Sequence, residues 1–337
     1  MKKKEYYHLR DLPGEFGISD IYQPQYCPVR IGQKHRVNIL ALGDVGRTML
    51  IGLRLLGGDV ISEIGICDIN EANVARLEME MNQIRYPEVK HAGRTASPYL
   101  PPVRVVKENE LFDCDVFLFC ASRGVPAIGA EGDVRMAQLD ANREIIRHYA
   151  DLAKAAQFQG MVCVISDPVD PLARAFHEYS GLRPEQIQGY GLGVMNARAM
   201  YYAERDPRYS QYLTEGRAYG PHGQDLVIAN SLTDYDDELS RSLTELVVTA
   251  NMKVRDLGYK PYIAPALSSA ALSVLLTLRG EWHYGSVFFG DNKARTGAYL
   301  GVLNRMTPAG PVHEDAEICP ELFERLRTAY GNLIALQ

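Results

Sequence analysis

The six cysteines of this 337-residue chain, at positions 27, 67, 114, 120, 163 and 319, form no C-x-x-C pair. A zinc ribbon, a dithiol redox motif and a disulfide framework are therefore not expected, and the thiols read as reduced and buried. Also lacking is any run of about 18 apolar residues, so no membrane span is predicted. The opening MKKKEYYHLRDLPGEFG is basic but has no apolar h-region, and a secretory signal is not expected; the expectation is a cytoplasmic protein. Basic blocks are missing too. A net charge of −6 argues against nucleic acid as partner. Internal repeats and low-complexity tracts are absent. What remains, 46% hydrophobic and 23% charged residues, is the composition of a globular protein with an ample core.

The most informative stretch is VNILALGDVG, residues 37–46. An apolar run ends in a glycine-punctuated turn and enters a helical segment, and the next apolar run closes on Asp68. This is the order of a nucleotide-binding β-α-β unit. Backbone N–H groups and a helix N-terminus meet a pyrophosphate, and the acid meets a ribose diol. In the G-x-G-x-x-G frame the first position is Ala41, and Gly43 and Gly46 hold the others. Alanine is expected to make the turn only with a negative φ. Asp44 is the stranger residue, because an acid beside a pyrophosphate repels it; it could instead cap the helix, with Arg47 offsetting its charge. Asp68 lies 22 residues after Gly46, where an acid favours NAD by repelling a 2′-phosphate.

Residues 1–35, punctuated by proline and glycine, read as an arm lying on the body or on a neighbouring subunit. From there the pattern predicts strand 37–42, helix 45–56, strand 62–67, helix 71–84, a loop over 86–102, strands 103–106 and 115–120, a loop 121–132, helix 133–156, strand 161–166, helix 169–179 and a short strand near Ile187. Apolar strands alternating with helices imply a doubly wound α/β half with a parallel sheet. After Gly193 an α+β half is expected. It has helices at 195–205, 236–257 and 264–278 (the last interrupted early by Pro265), strands near 225–228, 284–289 and 298–306, and a final helix 320–335. The predicted division is an arm 1–35, a dinucleotide domain 36–193 and a catalytic domain 194–337.

Four segments stand in a fixed order behind the turn: EGDVRMAQLDAN (131–142), ISDPVDP (165–171), GYGLGVMNAR (189–198) and GPHGQD (220–225). Together they resemble the lactate/malate dehydrogenase family, over about residues 36–330. The resemblance implies a Rossmann-type domain followed by an α+β catalytic domain, NAD as cofactor, no metal, a 2-oxo or 2-hydroxy acid as substrate, and a homodimer or homotetramer. It also implies roles. His222 moves the proton, Arg198 grips the substrate carboxylate, and Arg135, on a mobile lid, polarises the carbonyl. Asn142, Gly129 and Lys260 fall at substrate-facing positions. Gly43, Asp44, Val45, Gly46, Asp68, Ile69, Ala121 and Ser122 fall at cofactor positions. A glycine at 129, where the family separates lactate from malate enzymes, leaves room for a bulky or polar 2-oxo acid.

The departures are as informative. The family's histidine-orienting aspartate is Met195 here, and losing it should lower the histidine pKa. The family's asparagine before P-V-D is Asp167, which either returns a carboxylate to the site or caps the following turn. Gln224 stands where the family's H-G-D has its acid. Two other readings therefore stay open: a different NAD-dependent redox step, and a non-catalytic protein on the same scaffold.

Overall fold

The structure, a computed structural model, describes residues 5–87, 98–123 and 134–336, the side chains of 134–138 excepted. The first half alternates strands and helices: β1 (His35–Leu40), α1 (Asp44–Leu56), β2 (Ile61–Cys67), α2 (Glu71–Gln83), β3 (Val103–Val105), β4 (Val116–Phe119), α3 (Val134–Ala155), β5 (Met161–Val164), α4 (Val169–Ser180) and β6 (Ile187–Gly189). Val37, Ile39, Ile64, Ile66, Val116 and Leu118 are fully buried, as continuous apolar strands of a two-sided parallel sheet must be. The helices have local reasons to start and stop. Asn70 caps α2 by accepting from Asn73 N at 3.1 Å, and Gly181 ends α4 in the left-handed conformation. Helix α1 buries Met49, Leu50 and Leu53 on one face, about 1.5–3 kcal/mol for each side chain.

The second half contains α5 (Leu192–Ala203), the short α6 (Tyr212–Glu215), β7 (Arg217–Tyr219), β8 (Val227–Ala229), α7 (Asp237–Asp256), a π-helical stretch Pro265–Leu272 running into α8 (Ser273–Arg279), β9 (His283–Gly290), β10 (Gly297–Thr307), β11 (Gly310–His313) and α9 (Pro320–Ala335). Pro265 does not interrupt this helical stretch. It opens it, where a missing N–H costs nothing.

One nine-stranded sheet runs through both halves in the order β11-β10-β9-β6-β5-β4-β1-β2-β3. From β3 to β6 the pairing is parallel, and β9, β10 and β11 add antiparallel strands beyond β6. The sheet therefore continues across the boundary expected near 193, through the pairing of Gly189 with Ser286. Among the described residues, β7 and β8 form a separate two-stranded sheet. The N-terminal arm lies on the body. Its 3-10 helix, Leu9–Phe16, buries Leu9 and Leu12, and Tyr7 pairs with Ile318.

Candidate active site

The strand order reverses between β1 and β4, so the C-terminal ends of the two strands open a crevice there. The dinucleotide turn lines it. Ala41 sits at φ 72°, the left-handed region, contrary to the negative φ expected from the sequence. The reason is local. Ala41 N donates to Cys67 O at 2.8 Å, while a Cβ on Gly46 would stand 2.0 Å from the Ala41 carbonyl oxygen. The helix thus approaches the turn so closely that only glycine fits at 46 and the chain must reverse sharply at 41. Alanine there carries a cost of about 1–2 kcal/mol.

Asp68 closes β2 beneath this turn. Its Oδ1 accepts from Asn70 N at 2.8 Å and its Oδ2 from Leu42 N at 2.5 Å, which ties the acid to the turn. Ile69 beside it is fully exposed, an apolar surface free for a planar ring. Gly43 has open space around it, and Asp44 and Val45 begin α1, whose first N–H groups have no partner within the helix. These residues fit a dinucleotide: a turn with unpartnered N–H groups at a helix start, an acid at the end of β2, and open space at Gly43 among the described residues. Across the crevice, Ser166 Oγ donates to Ala121 O at 2.7 Å, holding the loop after β4.

The second cluster is built by α4, α5 and the β7–β8 hairpin. Residues 220–226 join the two strands of the hairpin and carry His222 at their bend. A Cβ on Gly191 would come within 2.8 Å of the His222 Cβ, so glycine at 191 is what lets the imidazole pack there. His222 Nδ1 lies 2.9 Å from Asp167 Oδ1. Burial pushes the imidazole pKa down, but the charge and hydrogen bond of Asp167 outweigh it, and the net displacement is upward. Losing the acid at Met195 alone was expected to lower this pKa; of the two readings left open for Asp167, the contact at 2.9 Å is the one that returns a carboxylate to the histidine.

Met195 is buried, 2% exposed, with its Sδ 3.6 Å from Arg198 Nη1. Arg198 also donates to Val247 O at 3.4 Å. Its half-buried guanidinium faces a cavity of about 540 Å³ that Asp167, His222, Met195, Val248, Asn251 and Leu333 help to line. Arg198 is the only lysine or arginine among the described lining residues.

Asp170 was not singled out in the sequence, although it is the acid of P-V-D. It is 2% exposed. Ser286 Oγ donates to its Oδ1 at 2.6 Å, and the backbone N–H of His222 donates to the same carboxylate. Burial raises its pKa to about 6. Asp170 thus anchors the His222 loop from below, while Asp167 holds the ring. Helix α9, expected as a helix but not as part of the site, lends Asn332 and Leu333 to the cavity wall.

Two expected substrate residues stand elsewhere. Asn142 is fully buried behind the site. Its Nδ2 donates to Asp167 O at 2.8 Å and its Oδ1 accepts from Arg123 N at 3.1 Å, so it fixes backbone. Lys260 lies outside the cavity, with Nζ 3.1 Å from Asp44 Oδ2 at the dinucleotide turn. Arg123, at the start of the loop after β4, pairs with Glu144 at 3.1 Å on the surface. Gly129 and the side chain of Arg135 fall outside the described residues. All six cysteines are free, and among the described residues no cluster could hold a metal ion and no helix is long and apolar enough to cross a membrane.

Comparison with known proteins agrees with this architecture. Residues 35–189 match the lactate/malate dehydrogenase NAD-binding domain. L-lactate dehydrogenase 1 of Staphylococcus aureus is 26% identical over 192 residues, 56% of this chain and 55% of that protein. The chain therefore aligns with about half the length of the curated relatives it matches. Two solved structures share the fold. The minor L-lactate dehydrogenase of Enterococcus mundtii superposes with a TM-score of 0.71 at 19% identity, covering 90% of this chain and 97% of that one. The malate dehydrogenase of Archaeoglobus fulgidus, solved with NADH, gives 0.68 at 19% identity, covering 89% and 98%. Over residues 35–189, a little less than half of the chain, the protein is thus similar to the NAD-binding domain of lactate/malate dehydrogenases.

Proposed function

We propose that the protein is an NAD(H)-dependent dehydrogenase that interconverts a 2-oxo acid and its 2-hydroxy acid. The observation that carries this reading is the junction of Arg198, His222 and Asp167 on one cavity. Bound NADH supplies the hydride for C2 of the 2-oxo acid. Arg198 holds the substrate carboxylate, and its planar fork fixes C2 in place. The bond to Asp167 occupies Nδ1 of His222 and selects the tautomer, which leaves Nε2 to give a proton to the substrate oxygen on reduction and take it back on oxidation. Asp167 stabilises the imidazolium and takes the place of the aspartate the family has at position 195. Arg135 and the lid around Gly129 remain part of the proposal as carbonyl-polarising and specificity elements.

The lining argues for the substrate class. Besides Arg198 and the proton-carrying His222 it offers the carboxyl groups of Asp167, Asp170 and Asp225, so a second substrate carboxylate finds no second arginine or lysine among the described residues. Val248, Asn251 and Leu333 suit a larger, neutral side chain. The reading is thus a bulky or polar monocarboxylic 2-oxo acid, handled by a homodimer or homotetramer.

The test is NADH consumption across pyruvate, oxaloacetate, branched, aromatic and imidazole-bearing 2-oxo acids, with NADPH run in parallel. Turnover of a bulky or polar member with NADH is the expected result. Preference for oxaloacetate would overturn the substrate class, and silence across the panel with NADH binding intact would overturn the reaction.

A further inference from the structure

We propose that Lys260 is a ligand for the pyrophosphate of the cofactor, kept at its post by Asp44; the assignment rests on the dinucleotide reading above. Lys260 lies in the loop between α7 and the π-helical stretch, 216 residues from Asp44, yet its Nζ is 3.1 Å from Asp44 Oδ2. The other oxygen of Asp44 takes the guanidinium of Arg47. Two cations therefore share one acid at the first residue of α1, beside the N–H groups that a pyrophosphate would meet. The local balance is one positive charge in excess. It resolves the oddity of an acid at this turn, because Asp44 aims two cations where a dianion docks and does not face it alone.

The geometry favours a ligand over a structural tie. The Lys260 side chain is 80% exposed, so the pair adds little to stability by itself. Asp44 is 29% exposed and anchored to α1 through Arg47. The ammonium sits on a flexible four-carbon stem with three rotatable donors, and it can take a phosphate oxygen while keeping its contact with Asp44. Because Lys260 belongs to the second half and Asp44 to the first, the contact brings a cation of the second half to the start of α1.

Binding of NADH, ADP-ribose and adenosine to the full chain tests the assignment, read by fluorescence or calorimetry at two salt concentrations. Lys260→Met is expected to weaken NADH and ADP-ribose by about fivefold. Adenosine, which lacks the pyrophosphate, should bind unchanged, and the salt dependence of NADH binding should flatten. Lys260→Arg should restore most of the affinity. Unchanged or tighter NADH binding by Lys260→Met would overturn the assignment, the tighter case showing instead that Lys260 obstructs the crevice. A wild-type protein that binds neither NADH nor ADP-ribose would overturn the dinucleotide reading itself, and this assignment with it.

Discussion

Asp167 Oδ1 lies 2.9 Å from Nδ1 of His222, a residue 55 positions away in the chain. The ring is 17% exposed and the carboxylate 52%, so the acid reaches the imidazole from the open side of the cavity. A carboxylate on Nδ1 fixes the tautomer and favours the imidazolium.

Asp167→Asn should therefore lower kcat/KM by about 10²-fold or more, with the fold intact. The raised His222 pKa gives the sign of the pH effect. Reduction needs the imidazolium, so its rate falls as pH rises through that pKa. Removing the acid should move this alkaline limb to lower pH. A pH–rate profile identical to wild type would show that Asp167 does not serve the histidine.

Met195→Asp alone should slow the enzyme, because a carboxylate at this position, whose sulfur now lies 3.6 Å from Arg198 Nη1, would compete for the guanidinium that grips the substrate. In the Asp167→Asn background the same change should recover part of the lost activity by offering the ring another acid. A double-mutant cycle on kcat/KM measures the coupling. Simple additivity would mean that the two positions do not exchange roles.

Arg198→Lys keeps the charge but loses the planar fork, and kcat/KM should fall by about 10²-fold or more through KM and kcat together. Steady-state kinetics with the best substrate decide the matter. An unchanged KM would place the carboxylate elsewhere.

Ala41→Gly should stabilise the protein by about 1 kcal/mol, because φ is 72° there and glycine adopts that conformation without a Cβ penalty. Urea unfolding measures the gain, and a destabilised variant would contradict the left-handed turn. Gly46→Ala should act in the opposite direction and weaken NADH binding, since the new methyl meets the Ala41 carbonyl.

Stability should fall with acidity below pH 6.5. His177 and His283 are buried, and burial pulls both pKa values down to about 4, with the charge of Arg174 adding to the effect at His177. The unfolded chain takes up these protons first, so stability is full above the unfolded pKa of 6.5 and is lost as pH falls toward 4, by about 3 kcal/mol for each histidine. Denaturation between pH 7 and 4 should show this loss, reduced in His177→Phe.

The periodicity of the sequence was enough to place most elements within one or two residues, because the buried parallel strands are nearly all apolar and the helices between them are long and amphipathic. His222, Arg198 and Asp167 were candidates for a different reason: each stands in a short motif that resembles the lactate/malate dehydrogenase family, which no periodicity would have marked. Local pattern could not place what depends on close approach between distant segments. The left-handed Ala41 follows from the packing of α1 on its own turn, and the His222–Asp167 bond from the meeting of the β7–β8 hairpin with the end of β5. Asp170 is hidden because a buried acid in an apolar helix has meaning only when its partners, Ser286 and the His222 backbone, are brought in by the fold. Lys260 moved from an expected substrate wall to the dinucleotide turn for the same reason: a flexible cation goes to the nearest acid in space, and Asp44 is near only after both halves have folded.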